Sequence, residues 1–392
     1  MKRLRRYRLA RAAVLVAWLL VLSASALAAT SYIVTNDDTG FPFITGVSFY
    51  TIDPGGVLTL KGQVQTGGYG IGGGYFGANR IAVLNSGQQE CVFASEAATG
   101  DIVGIRVHTL NLGGRASGSP TDTGTSNGIG LVAGDHYLYA SFTDSNTIGT
   151  FKVEPGCGLS FLSDVSVTGL AGGTVNAMAI RGNMMIATYT DGSLESFDIA
   201  GGIPASHGDR QHSTAAVSSQ GATYPNSIDI TSDGHYAIFG DTSTSMVVEV
   251  SDISSGQLTP TLVHTSTAAI SSSNVMLSPD ETVVYVINTQ GAAVTALFFD
   301  KSTGGLSKGC TSPPIRGLSA NWSYLAGLAL VNKTGNGGGV YVAEFGSTSG
   351  IALVNLSVSG KKCALQEVTH SPFVDPNTTG LLSIGAFPPR AF

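Results

Sequence analysis

The chain has 392 residues, with 20 basic and 26 acidic side chains, a formal net charge of −6, four cysteines and 52 glycines. Its 43% hydrophobic content supplies a sizeable core and excludes a disordered chain. The acidic balance, without a polybasic stripe, excludes nucleic acid as a partner class.

Residues 1–28 read as a secretory signal peptide. Lys2, Arg3, Arg5, Arg6, Arg8 and Arg11 form a basic start, 12–22 is an unbroken apolar run, and Ala26-Leu27-Ala28 offers a small-x-small cleavage site. The run is shorter than the ~20 residues of a transmembrane helix, so the expectation is a secreted or periplasmic protein with no membrane association after cleavage. Cleavage removes those six basic residues and no acidic one, leaving 14 against 26 and a net charge of −12.

From residue 29 to 392 one phrase returns: an alternating apolar strand, a turn, and a second strand ending in a polar or aromatic residue. The first strands are Ile81-Ala82-Val83, Ile129-Gly130-Leu131, Met178-Ala179-Ile180, Ile228-Asp229-Ile230, Val275-Met276-Leu277, Leu328-Ala329-Leu330 and Leu382-Ser383-Ile384, at steps of 48, 49, 50, 47, 53 and 54 residues. That period fits one four-stranded β-propeller blade per repeat. The final phrase lacks a second strand, while Tyr32-Ile33-Val34-Thr35-Asn36 at the start is a second strand without a first. The two ends therefore complete one blade, closing an all-β, seven-bladed propeller of antiparallel blades as a single domain and covering its open edges.

Within each repeat, second strands such as Tyr137-Leu138-Tyr139-Ala140-Ser141 and Val283-Val284-Tyr285-Val286-Ile287 are β-branched and aromatic on both faces, because a blade packs against a neighbour on each side. Tight turns such as Asp53-Pro54-Gly55-Gly56 and Thr303-Gly304-Gly305 separate third from fourth strands, and Leu58, Leu159, Leu258, Leu306 and Leu365 mark the fourth strands. Cys91, Cys157, Cys310 and Cys363 allow three connectivities or four buried thiols; strand placement puts Cys91 and Cys157 on one face and favours the pairs Cys91 with Cys157 and Cys310 with Cys363.

Ile33-Val34-Thr35-Asn36, Tyr285-Val286-Ile287-Asn288, the turn Ser278-Pro279-Asp280-Glu281, Ser232-Asp233-Gly234 and His370-Ser371-Pro372-Phe373 resemble the YVTN-type propellers, a group close to the lactonase-like seven-bladed propellers. The resemblance implies a propeller fold and, among the activities of that group, 6-phosphogluconolactonase or another lactone-opening reaction. The histidine-containing segments that those enzymes show at inner-strand starts are replaced here by Gly77-Ala78-Asn79-Arg80, Thr174-Val175-Asn176 and Tyr224-Pro225-Asn226, so no catalytic residue is carried over.

Antiparallel pairing places inner-strand starts and second-strand ends on one face, where long loops over 65–79, 111–127, 206–226 and 309–326 converge. Asn79, Asn127, Asn176, Asn226 and Asn274 recur before the inner strands and are expected to ring the channel mouth or to cap their own loops. At second-strand ends stand Asn36, Glu96, Phe142, Tyr189, Asp241, Asn288 and Glu344, a collar suited to a polyol, sugar or carboxylated ligand, or else simply solvated strand ends. Lactone opening needs a base and an oxyanion partner; Glu96, Asp241 and Glu344 are candidate bases, Arg80, Arg210 and Arg316 candidate donors, and His207 and His212 share one loop. The glycine-rich Gly68-Tyr69-Gly70-Ile71-Gly72-Gly73 has no following helix to present to a phosphate, and neither Asp37-Asp38 nor Asp144-Ser145-Asn146 approaches an EF-hand loop. The expectation is a secreted monomer without metal or cofactor that binds a small molecule, carbohydrate or protein through this face, with a lactonase as the alternative.

Overall fold

In the computed structural model the described residues are 31–37, 45–70, 79–85, 89–108, 111–124, 130–212, 225–241, 248–266, 272–288, 292–316, 324–330, 339–345, 350–359, 362–374 and 383–387. They form seven antiparallel sheets, the blades of a propeller. One sheet is composite: from the centre outwards it runs Ser383–Phe387, Tyr32–Asn36, Gly46–Ile52 and Leu58–Gln65. Tyr32 pairs with Phe387 and Asn36 with Ser383, and the Tyr32 and Phe387 rings stack at 4.6 Å, a contact worth about 1 kcal/mol beyond its buried area. The chain ends thus close the ring as their strand patterns require. The other six blades follow in chain order, with inner strands Ile81–Asn85, Gly130–Gly134, Val175–Arg181, Pro225–Ile230, Ser272–Leu277 and Tyr324–Leu330.

The core is divided among the spaces between blades. Strand alternation sends successive side chains to opposite neighbours: Tyr32 and Val34 pack with Val92 and Val103 of the second blade, whereas Ile33 packs with Tyr341 and Ile351 of the seventh. This is why the second strands read apolar throughout. Two disulfides add covalent ties between neighbouring blades, Cys91 with Cys157 across the second and third and Cys310 with Cys363 across the sixth and seventh, with Cα separations of 5.6 and 5.8 Å.

The fourth strands depart from expectation in three blades. Asn111–Arg115 is the fourth strand of the second blade, not the start of a loop; Gly113 and Gly114 dilute its pattern, and Gly114 takes a φ of 89°. It resumes as Thr121–Asp122. Among the described residues the fourth strand of the fourth blade consists of the short pieces Ala205–Ser206 and Gln211–His212, and that of the seventh splits into Lys362–Glu367 and Phe373–Val374. A Ser-Pro pair bridges such gaps: Ser119 Oγ accepts the Gly104 amide at 3.0 Å, and Ser371 Oγ accepts the Leu353 amide at 3.1 Å. Ser312 does the same for Val294 at 3.1 Å. Each hydroxyl stands in for a ladder carbonyl, accepting a third-strand amide where the fourth strand is interrupted.

Candidate functional site

The inner strands of all seven blades line a central channel of about 230 Å³ with largely aliphatic walls, including Val83, Val132, Met276 and Leu330. Of the recurring asparagines, Asn79 is exposed and lines it. Asn176 is buried, at a register shift between Val175 and Ala177. Asn226 and Asn274 fall at equivalent shifts in the next two blades. At these three positions the asparagine marks a β-bulge where the chain enters the inner strand, and Asn176 is buried there. Asn127, and the side chain of Asn226, lie outside the described residues.

The second-strand ends are not solvated. Asn36, Glu96 and Glu344 are fully enclosed, and Phe142, Tyr189 and Asn288 are buried; the side chain of Asp241 lies outside the described residues. Successive blades bring Glu344, Asn36 and Glu96 to the same structural position, each the end or next to the end of its second strand.

The interface between the composite and second blades gathers a buried cluster of polar groups. Asn36 Nδ2 donates to the carbonyls of Arg80 at 3.2 Å and Ser95 at 3.0 Å, and the Arg80 amide donates to Ser383 Oγ at 2.9 Å. These bonds hold the start of one inner strand and the end of the adjoining second strand, placing the Arg80 and Glu96 side chains within electrostatic reach of each other. Asn36 thus spends its amide hydrogens on backbone and acts as a positioning residue. The segment over 66–70 closes above Glu96: Gly68 O accepts the Thr45 amide at 3.2 Å, Gly70 N donates to Thr45 Oγ1 at 3.1 Å, and Tyr69 O accepts the Ala98 amide at 3.0 Å. Gly68 sits so close that a Cβ there would stand 2.9 Å from Glu96 Cγ.

Enclosure decides the charge states. Burial lifts the Glu96 carboxyl from 4.5 to about 7, the Thr66 and Thr45 hydroxyls pull it back, and Asp37 and Asp101 push it further up. Neither Glu96 oxygen accepts a full hydrogen bond among the described residues. Burial lowers Arg80 to about 10, an effect the Glu96 charge opposes. Glu344 is lifted to about 8, by burial first and by Glu367 second. A buried carboxyl raised toward neutrality thus lies within electrostatic reach of an enclosed guanidinium.

The remaining candidates lie elsewhere. Arg316 N and Nε donate to Glu367 Oε2 at 2.8 and 3.2 Å. Arg210 Nε donates to Glu195 Oε2 at 2.9 Å, with Tyr189 Oη on the same oxygen at 2.7 Å and Ser206 on the other. Sequence reasoning missed Glu195, since one glutamate in a third strand carries no motif. His207 Nδ1 meets Ser196 Oγ at 2.9 Å, but Asp209 bonds that serine rather than the histidine, and also the Leu258 amide at 2.7 Å. The order of a nucleophilic triad, with base oriented by acid, is absent, and Asp209 instead ties the fourth blade to the fifth. His212 is exposed. Asp37 is buried and accepts the Gly46 amide; among the described residues no three His, Cys, Asp or Glu side chains are grouped to hold a metal.

The seven sheets define a seven-bladed propeller with a buried polar cluster of Asn36, Arg80 and Glu96 between its composite and second blades. The family model described as "Lactonase, 7-bladed beta-propeller" matches residues 104–376, and the chain belongs to that family. Arg80 and Glu96 precede the matched segment; Glu344 lies inside it. No curated protein matches the chain. Among solved structures, a periplasmic gluconolactonase from Pseudomonas aeruginosa is similar at a TM-score of 0.57 and 16% identity, over 71% of this chain and 81% of that one. A putative 6-phosphogluconolactonase from Bacteroides uniformis is similar at a TM-score of 0.58 and 13% identity, over 71% and 80%. A functionally unknown protein from Desulfotomaculum acetoxidans is similar at 0.60 and 16% identity, over 92% of this chain and 99% of that one.

Proposed function

We propose that this protein is an exported lactonase that opens a sugar lactone in the cleft between the composite and second blades. The observation that carries this reading is the enclosed Glu96, lifted to about 7 by burial and within electrostatic reach of Arg80. In the reaction, ionised Glu96 accepts a proton from water as the water oxygen adds to the lactone carbonyl carbon. Arg80 stabilises the oxyanion that forms. The bond from carbonyl carbon to ring oxygen then breaks, the proton from Glu96 passes to the ring oxygen, and a hydroxy acid leaves. Glu96 and Arg80 are both enclosed, so this reading requires the 66–70 segment to move aside for substrate. Membership in the lactonase family supports the reaction class. The leader-like residues 1–28 and the two disulfides support export to an oxidising compartment.

A second reading, a propeller that binds its ligand or partner without chemistry, is favoured by that same enclosure. Purified protein assayed against a lactone panel decides between them. Turnover that falls at least about 100-fold in Glu96→Gln and in Arg80→Ala, with folding intact by circular dichroism, is the expected result. No turnover above buffer, or turnover indifferent to both changes, leaves the binding reading in its place.

A further inference from the structure

We infer that a polar cavity on the tight-turn face, between the fourth and fifth blades, is a binding site for a small hydroxylated amine in its cationic form. It lies on the opposite face of the disc from Glu96 and is independent of the lactonase reading.

The cavity, of about 510 Å³, falls within the roughly 300–1,000 Å³ of small-molecule sites. Three hairpin turns frame it, all within the described residues. Arg181 to Met184 joins the first two strands of the fourth blade, Ser232 to Gly234 the first two of the fifth, and Ser255-Gly256 the last two of the fifth. Asp198, at the end of a third strand, and His207 complete the lining. A Cβ at Gly182 or Gly256 would meet nothing within 4 Å, so these turns leave the space open. Ties between the two blades hold the walls in place: Arg181 Nη2 donates to Ile230 O at 3.0 Å, and Asp209 Oδ2 accepts the Leu258 amide at 2.7 Å.

A chain of hydrogen bonds fixes how His207 meets this cavity. Ser196 has one hydroxyl hydrogen and donates it to Asp209 Oδ2 at 2.5 Å. The 2.9 Å contact between Ser196 Oγ and His207 Nδ1 must then have Nδ1–H as its donor. The neutral ring therefore carries its lone pair on Nε2, on a half-buried side chain that lines the cavity. Asp198 gives Oδ1 to the Ala200 amide at 2.8 Å and keeps Oδ2 for a ligand. The neighbouring cation Lys301 is held by Asp233 at 3.2 Å and by Glu281 at 2.6 Å.

The cavity thus offers an acceptor nitrogen and a carboxylate oxygen, and these call for donors. Around it Asp198, Asp209, Asp233 and Glu281 outnumber Arg181 and Lys301, a field that favours a cation. An ammonium has three hydrogens to donate and no acceptor. It pairs with Asp198 by a charge-assisted bond, while a hydroxyl of the same molecule donates to His207 Nε2.

The test titrates the purified protein with glucamine and with sorbitol, linear polyols of equal length that differ by an ammonium at one end, and reads binding by calorimetry. Glucamine should bind saturably, at least about tenfold tighter than sorbitol. Asp198→Asn keeps an oxygen for the Ala200 amide and should abolish that preference. His207→Asn keeps a donor for Ser196 but lacks Nε2, and should weaken glucamine binding with the melting temperature unchanged. Should a variant fail to fold, the imidazole nitrogen resonances of wild-type His207 decide: they should show the Nδ1–H tautomer, and Nε2 should shift as glucamine is added. No saturable binding, equal affinity for the two polyols, binding indifferent to both variants, or an Nε2 signal unmoved by glucamine overturns the inference.

Discussion

Replacing Glu96 by glutamine removes a titration more than a contact, and the effect should appear in stability as a function of pH. The carboxyl titrates at 4.5 in an unfolded chain and at about 7 in the folded one. Between those values the native state keeps a proton that the unfolded chain has released, so raising the pH favours unfolding. At 1.36 kcal/mol per unit, wild-type stability falls by about 3 kcal/mol as pH climbs from below 4.5 to above 7 through this group alone. Glutamine has the same shape and no charge to bury. The Glu96→Gln variant should therefore match the wild type near about pH 4 and exceed it by about 3 kcal/mol near about pH 8. Urea unfolding at a series of pH values and constant ionic strength measures the difference. A difference that stays constant over the range means that Glu96 ionises as freely in the fold as in water, and the argument for a poised base collapses with it. The same experiment on Glu344→Gln, whose window runs from 4.5 to about 8, predicts a difference of about 5 kcal/mol.

Three further outcomes follow from particular contacts. If ionised Glu96 is the base, kcat/KM for a lactone should rise about tenfold per pH unit below about 7 and level off above it; a profile without that limb removes Glu96 from the role. Arg210→Met should cost about 3 kcal/mol in urea unfolding because it leaves Glu195 buried without its cation, and Glu195→Gln in the same chain should recover part of the loss. Replacing Cys91 and Cys157 by serine opens a loop with a sequence separation of 66, which the chain-entropy relation values at about 4 kcal/mol; a melting temperature unchanged by the double variant, or by reductant acting on the wild type, contradicts that value.

The propeller was legible because its repeat carries several consistent signals at once. Apolar phrases at a steady period, turn residues between them and complementary half-blades at the two ends all point to one closed ring, and Tyr32 indeed pairs with Phe387. The fourth strands of the second and fourth blades were not legible. Their hydrogen bonds come from glycine-rich or two-residue pieces, and side chains such as Asp209 and Ser119 complete the ladder from outside any strand pattern. The site was half legible. Alignment of repeats put Asn36, Glu96 and Glu344 at one level, but a strand end looks the same in sequence whether water or another loop covers it. Burial of Glu96 depends on the 66–70 segment folding back over it, and nothing local to Glu96 encodes that. The asparagines divide: Asn176, Asn226 and Asn274 fall at backbone bulges, whereas Asn79 lines the channel.

If Glu96 is the base, its placement sets function against stability in one residue. A base must be ionised to act, yet the cleft that raises its basicity also makes ionisation costly. Were Glu96 moved to solvent it would be charged at neutral pH but a weak base, about two to three powers of ten less basic at the proton by the same shift that destabilises the fold. Arg80 limits the conflict, since its charge grows more valuable as Glu96 ionises, and Asn36 limits it further by fixing both backbones so that neither side chain must be reorganised during the reaction. Asn36→Ala separates these roles. It is placed to touch neither substrate nor proton, so it should lower kcat with little change in KM and shift the rising limb of the pH profile below about 7 as Arg80 and Glu96 drift apart. A variant that instead raises KM alone would make Asn36 a ligand residue and would move the site from the cleft to the channel mouth.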